Sequence, residues 1–226
     1  MGAGPWVVVQ HVAHEGPGGV AGALGRAGHR WSVVRPDLGQ PLPGADAVAS
    51  LGGLVVLGGP MGVHDSPSHP WLPSERGLLV RAVDAGVVVL GVCLGAQQLA
   101  LALGAEVRTG GGQEVGAGQV ELTADGLADP VLGPAGSPLP CVHWHGDTFS
   151  LPAGSRHLAT GERYGHQAFA VGRRAYGLQF HVEVDAALAD AWAPELPPGV
   201  VLDPAAVARI EAVGAPLLDR LVALAG

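Results

Sequence analysis

The chain has 226 residues, 48% of them hydrophobic and 14% charged, enough to bury a substantial core and too apolar for a disordered segment. Its formal net charge of −8, with no basic cluster beyond Arg173-Arg174, disfavours nucleic acid and anionic membrane surfaces and points to a small-molecule or protein substrate. All 12 basic residues are Arg, and Lys and Asn are absent, which excludes Schiff-base lysine chemistry, an ordinary P-loop and a Cys-His-Asn triad.

In chain order, Trp6–Val12 reads as a buried strand, Gly19–Ala27 as a small-residue helix and Arg30–Arg35 as a second strand. The run GLVVL (Gly53–Leu57) is a third strand ending in the turn Gly58-Gly59-Pro60. A helix fits Ser74–Ala85, with Leu78, Leu79, Ala82 and Val83 on one face and Ser74 as its N-cap. Val87–Val92 is apolar throughout, as a strand covered on both faces must be, and Gly95–Leu103 is the next helix, stopped by Gly104. Repeated strand–helix–strand units imply a mainly parallel, doubly wound α/β sheet.

The second half offers only short strands: Val120–Thr123, Pro140–His145, His157–Thr160, Ala168–Val171 and Ala175–His181, several of them expected to pair antiparallel. A Pro-rich connection, Pro194–Pro204, leads to a closing helix over Pro204–Ala225. No internal repeat or boundary interrupts residues 1–226, so one domain is expected. Cys93 and Cys141 form neither a disulfide framework nor a metal spacing. The N-terminal MGAGPWVVVQHV lacks the charged and apolar regions of a signal peptide, and no apolar run reaches the roughly 18 residues of a membrane span. A reducing cytoplasm is the expected setting.

The strongest local signal is Gly91-Val92-Cys93-Leu94-Gly95, where a buried strand runs directly into a helix. It has the form of a nucleophile elbow with Cys for Ser: the turn pushes the thiol out of the sheet and leaves it at a helix N-terminus, which favours thiolate. The N–H of Leu94 can donate to an oxyanion there. A cysteine nucleophile needs a base, and the base an orienting group. Of ten His residues, His181 stands out because Glu183 follows two positions on, and an extended chain would put both on one face.

The segments GGPMGV (Gly58–Val63), GVCLGAQQLA (Gly91–Ala100), WHGDTF (Trp144–Phe149) and YGLQFHVEV (Tyr176–Val184) resemble the class I glutamine amidotransferase family, most closely its stand-alone GMP-synthase-like branch. The motif order runs from the first strand to about Trp192; residues 193–226 form a helical extension with no assigned role. The resemblance implies a flavodoxin-like fold and hydrolysis of the γ-amide of glutamine or a related γ-glutamyl bond. By position it implies Cys93 as nucleophile, His181 as acid/base, Glu183 as orienting carboxylate, and the N–H groups of Gly59 and Leu94 as the oxyanion hole. Gln97 matches a glutamine-contacting side chain, and His145 and Asp147 match a pocket-lining segment. Val182 departs from the usual Pro between His and Glu, which makes that turn less rigid.

Expected ligands are glutamine or another γ-glutamyl compound, with no cofactor. The chain lacks an SGG-x-D-S pyrophosphate loop, so ammonia would pass to a separate synthase subunit, or the protein is a γ-glutamyl hydrolase acting alone. A binding or regulatory module on the same fold is the alternative from another class, and oligomeric state is left open. His143-x-His145-x-Asp147 imitates a binuclear zinc motif, but Thr148 stands where a His is needed and no partner ligand is evident, so no metal is expected. Gly16-x-Gly18-x-x-Ala21 imitates a dinucleotide fingerprint and reads better as close helix packing. Cys141 reads as a packing residue, and Gln113–Gly116 as a surface turn or pocket border.

Overall fold

The first strand shows how the core is divided. In β1 (Trp6–Val9), alternation sends Trp6 and Val8 to one apolar cluster and Val7 and Val9 to another. A strand buried on both faces belongs in the middle of a layered sheet. The computed structural model describes residues 4–226; residues 1–3, the start of the segment read as lacking a leader, lie outside the described residues.

The remaining strands are β2 (Trp31–Val34), β3 (Gly53–Val56), β4 (Val88–Val92), β5 (Val107–Leu122), β6 (Leu139–Phe149), β7 (Arg156–Thr160), β8 (Ala168–Val171) and β9 (Ala175–Leu178). The helices are α1 (Gly19–Arg26), α2 (Ala45–Val48), α3 (Leu72–Asp84), α4 (Leu94–Ala102), α5 (Ala124–Ala128), α6 (Ala186–Trp192) and α7 (Pro204–Val222). The sheet order among the described residues is β2-β1-β3-β4-β9-β8-β7-β5-β6. Pairing is parallel from β2 to β9 and antiparallel from β9 outward. This is the expected doubly wound α/β sheet with antiparallel strands added at one side.

Helices α1 and α7 cover one face through Val20, Leu24, Leu217, Leu218 and Leu221. On the other face α3 and α4 bury Leu72, Leu78, Leu79, Leu94 and Leu99. A smaller cluster of Val142, Val184, Leu188, Trp192, Val207 and Ile210 joins β6 to α6 and the start of α7.

Several boundaries differ from those the sequence suggests. β1 stops at Val9, and the Gln10 side chain then turns back to the Val12 carbonyl. Helix α3 begins at Leu72, with Trp71 at the cap position and Pro73 in the first turn, so Ser74 lies inside the helix and does not cap it. The largest departure is β5. Gly110, Gly111, Gly112, Gly116 and Gly118 hide a 16-residue strand that sequence reading shortens to Val120–Thr123, because Gly weakens strand propensity while cross-strand pairing with β6 enforces it. β9 ends at Leu178, so His181 is not part of the strand; an isolated bridge to Val142 holds it.

Candidate active site

The candidate residues Gly59, Cys93 and His181 follow the carboxyl ends of the parallel strands β3, β4 and β9, where open α/β sheets form their crevices. Cys93 follows β4 and precedes α4. Its φ of 52° makes it the one non-Gly residue with positive φ among the described residues. Strain of this kind persists only where neighbours impose it. Here Cys93 N–H donates to the Leu178 carbonyl at 2.8 Å, and Gly95 N–H donates to the Leu57 carbonyl at 3.2 Å. A Cβ on Gly91 would sit 2.4 Å from the Gly95 oxygen, and one on Gly95 would sit 2.0 Å from the Val56 oxygen. Both glycines are required by backbone contact, as the elbow pattern implies. Leu94 opens α4, so its N–H has no acceptor within the helix.

His181 comes from the segment after β9. Its backbone exchanges two hydrogen bonds with Val142, of 2.9 and 3.0 Å. Its Nδ1–H donates to Glu183 Oε1 at 2.6 Å, so the carboxylate holds the ring although neither residue is in a strand. Trp192 of α6 packs edge-on against the imidazole with centroids 4.9 Å apart. Burial alone would lower the pKa of His181, but the Glu183 carboxylate and the Cys93 sulfur beside it raise it well above the ordinary 6.5. The Cys93 thiol itself donates to the Trp144 carbonyl at 3.6 Å.

A cavity of about 420 Å³ opens in front of Cys93 and is lined by Gly59, Gln97, His145 and Asp147 among others. His181 and Glu183 are buried, and neither lines that cavity. Gln97 Nε2 donates to Gln179 Oε1 at 3.2 Å. In His145 both ring nitrogens face protein groups, Nδ1 the Asp147 carbonyl at 3.0 Å and Nε2 Glu114 Oε2 at 3.2 Å. Burial pushes its pKa down to about 4.

Sequence reading missed the supports. His11, on the segment after β1, donates from Nδ1 to the Gly58 carbonyl and from Nε2 to Glu75 of α3, each at 2.8 Å. Burial opposes its charge, yet Glu75 and the Gly58 carbonyl raise its pKa overall. This ion pair clamps the Gly58-Gly59-Pro60 turn from behind. Glu15 fills the space that a Cβ on Gly58 would need, 2.3 Å away, with His181 Cε1 3.2 Å from the same point. Burial and nearby Glu183 raise the Glu15 pKa against three histidines that lower it. The signal that could have located His11 and Glu15 is their place on the loop after a parallel strand, directly beside the crevice.

The Gly16-Gly18 segment resolves as packing: Gly19 N–H donates to the Glu183 carbonyl at 2.7 Å, and a Cβ on Gly18 would lie 2.3 Å from the same oxygen. The segment given no role from sequence also acts here. Gly214 of α7 lies so close to the Val182 carbonyl that a Cβ would be 1.9 Å away, so α7 backs the turn where the family's usual Pro is missing. Cys141 is fully buried, and burial raises its pKa, as a packing residue's should be. Glu114, on the neighbouring strand, lies beside His143 and His145, while Asp147 does not join that group.

A profile of the family described as Glutamine amidotransferase class-I matches residues 20–192. The glutamine amidotransferase-like protein YfeJ of Salmonella typhimurium is 35% identical over 179 residues, covering 77% of this chain and 74% of that protein. A GMP synthase (glutamine-hydrolyzing) of Phenylobacterium zucineum is 35% identical over 136 residues, 58% of this chain but 24% of that protein. The chain thus aligns with about a quarter of that synthase's length. Among solved structures, a glutamine amidotransferase of Thermotoga maritima superposes with a TM-score of 0.85 at 28% identity, covering 98% of this chain and 99% of that one.

Proposed function

The chain belongs to the class I glutamine amidotransferase family, a family of glutaminase-type hydrolases, and from that premise we propose that it cleaves the γ-amide of glutamine through Cys93, His181 and Glu183. The observation that carries this reading is the elbow cysteine at φ 52° beside an imidazole that Glu183 holds at 2.6 Å. The thiolate attacks the γ-carbonyl carbon, and the oxyanion accepts hydrogen bonds from the Gly59 and Leu94 N–H groups. Each such donor is typically worth about 3–4 kcal/mol in the transition state. The His181 imidazolium gives its proton to the amide nitrogen, the C–N bond breaks, and ammonia leaves a γ-glutamyl thioester on Cys93. Neutral His181 then takes a proton from water, which attacks the thioester and releases glutamate and the free thiolate.

Glu183 keeps Nδ1 protonated and Nε2 available throughout, the role of an orienting carboxylate in a nucleophile–His–acid triad. Gln97, His145 and Asp147 line the cavity that would receive the substrate. A separate synthase subunit taking up the ammonia fits the relationship to GMP synthases, of which this chain matches only part. Reaction with a glutamine-derived diazo-ketone, followed by peptide mapping, tests the proposal. Labelling of Cys93 with loss of ammonia release supports it; an unlabelled Cys93 in protein that still hydrolyses glutamine overturns it.

A further inference from the structure

Beside the cavity of Cys93, on the opposite face of its wall, three donor atoms from two strands converge. The register of β5 on β6 shifts between Thr109 and Glu114, which places Glu114 opposite His145 and Gly116 opposite His143. Glu114 is therefore the direct neighbour of one ring and the diagonal neighbour of the other. Its Oε2 lies 3.2 Å from His145 Nε2 and 3.7 Å from His143 Nδ1, and all three atoms fall within 4.8 Å of one another. Ligands about 2.0–2.1 Å from a tetrahedral metal are roughly 3.3–3.4 Å apart, and the two edges from Glu114, 3.2 and 3.7 Å, bracket that spacing.

The hydrogen bonds around the cluster point the same way. His145 Nδ1 faces the Asp147 carbonyl at 3.0 Å and must carry its proton there, which in the neutral ring leaves a lone pair on Nε2 aimed at the carboxylate. His143 Nε2 is engaged with Cys141 Sγ at 3.5 Å, leaving Nδ1 toward Glu114. Both inward nitrogens, His143 Nδ1 and His145 Nε2, are buried and make no hydrogen bond. Buried polar atoms without partners are rare and each asks for an explanation. Glu114 is itself steadied by Gln167 Nε2, which donates to Oε2 at 3.0 Å. A ring nitrogen fixed on a backbone carbonyl and an amide fixed on the carboxylate are the outer contacts that orient metal ligands.

We propose that Glu114, His143 and His145 bind a divalent transition-metal ion, with Zn²⁺ the best match to two imidazoles and one carboxylate. Glu114 and His143 also line a second cavity of about 500 Å³ with Glu162 and Arg163, from which the ion would enter and where a fourth ligand would sit. The ion ties β5 to β6 beside their register shift. His145 lines the Cys93 cavity, so the same ion sets the position of that cavity's wall. The sequence pattern His-x-His-x-Asp concealed this because its third ligand comes from the neighbouring strand and not from Asp147.

The test uses untagged full-length Cys93→Ser protein, which removes the competing thiol beside His181, titrated with Zn²⁺ by calorimetry and with Co²⁺ by visible absorption. The expected result is one ion per chain, a four-coordinate Co²⁺ spectrum without sulfur charge transfer, and a melting temperature that rises with Zn²⁺. Adding Glu114→Gln or, separately, His143→Gln should weaken binding by more than the roughly 10–100-fold that loss of an outer-shell partner costs. Absence of stoichiometric binding to the Cys93→Ser protein overturns the site. So does a Co²⁺ spectrum of six-coordinate type, or unchanged affinity in both ligand variants with native circular dichroism.

Discussion

The two sides of the Cys93 cavity are built to different tolerances. On the parallel side there is no spare volume: a methyl group on Gly91, Gly95 or Gly59 would lie 2.0–2.6 Å from its nearest neighbour. Hydrogen bonds and burial lock Cys93, His181 and the Gly58-Gly59 turn from several elements at once. On the antiparallel side, the β5–β6 ribbon presents Thr109, Gly111, Gly112 and Gln113 as exposed residues, and a Cβ on Gly111 would meet nothing within 4 Å. The groups proposed to break the bond thus depend on packing that tolerates little change. The exposed part of the facing wall has more room to vary.

Substitutions can break or sharpen that division. Cys93→Ser should lower kcat by on the order of 10⁴–10⁶ while leaving the melting temperature within a degree or two, measured by ammonia release and thermal unfolding. Glu183→Gln should cost about 10⁴ in kcat, as loss of the orienting carboxylate does in a triad. It should also move the alkaline limb of the kcat/KM profile to lower pH, because the carboxylate is a main reason the His181 pKa stands above 6.5. A limb that stays in place would detach Glu183 from His181.

Glu75→Gln tests the clamp on the oxyanion turn and should destabilise the fold by about 3 kcal/mol, the lower end for breaking a buried pair, since His11 can lose its proton. The folded pKa of His11 is raised, so the pair's contribution is complete below 6.5 and fades as pH rises through the folded value. Denaturant unfolding of both proteins at acidic and alkaline pH should show the difference between them shrinking on the alkaline side. Smallest of all, Gln113→Ala on the exposed wall should change stability by no more than about 0.5 kcal/mol. Its effect should appear in KM, with kcat held within about twofold. A hundredfold fall in kcat would end the proposed separation of wall from chemistry.

The sequence by itself determined the parts governed by local rules. The apolar runs of β1, β3 and β4 announce a covered parallel sheet, and the glycines around Cys93 announce a tight strand-to-helix turn, because burial on both faces and backbone crowding act on neighbouring residues. The motif spacing puts Glu183 two residues after His181, and the two meet although β9 ends before them, so their contact does not come from a shared strand face. Their bond forms across a turn that α1, α6 and α7 support from behind.

Tertiary structure decided what spacing cannot encode. It brought His11 to Glu75, Glu15 to Gly58 and Glu114 to the two histidines of β6, groups that lie far apart along the chain and meet only because β1 pairs with β3 and β5 with β6. Such contacts depend on strand order and register. Those are settled by the burial of whole faces, which no short stretch of residues specifies alone.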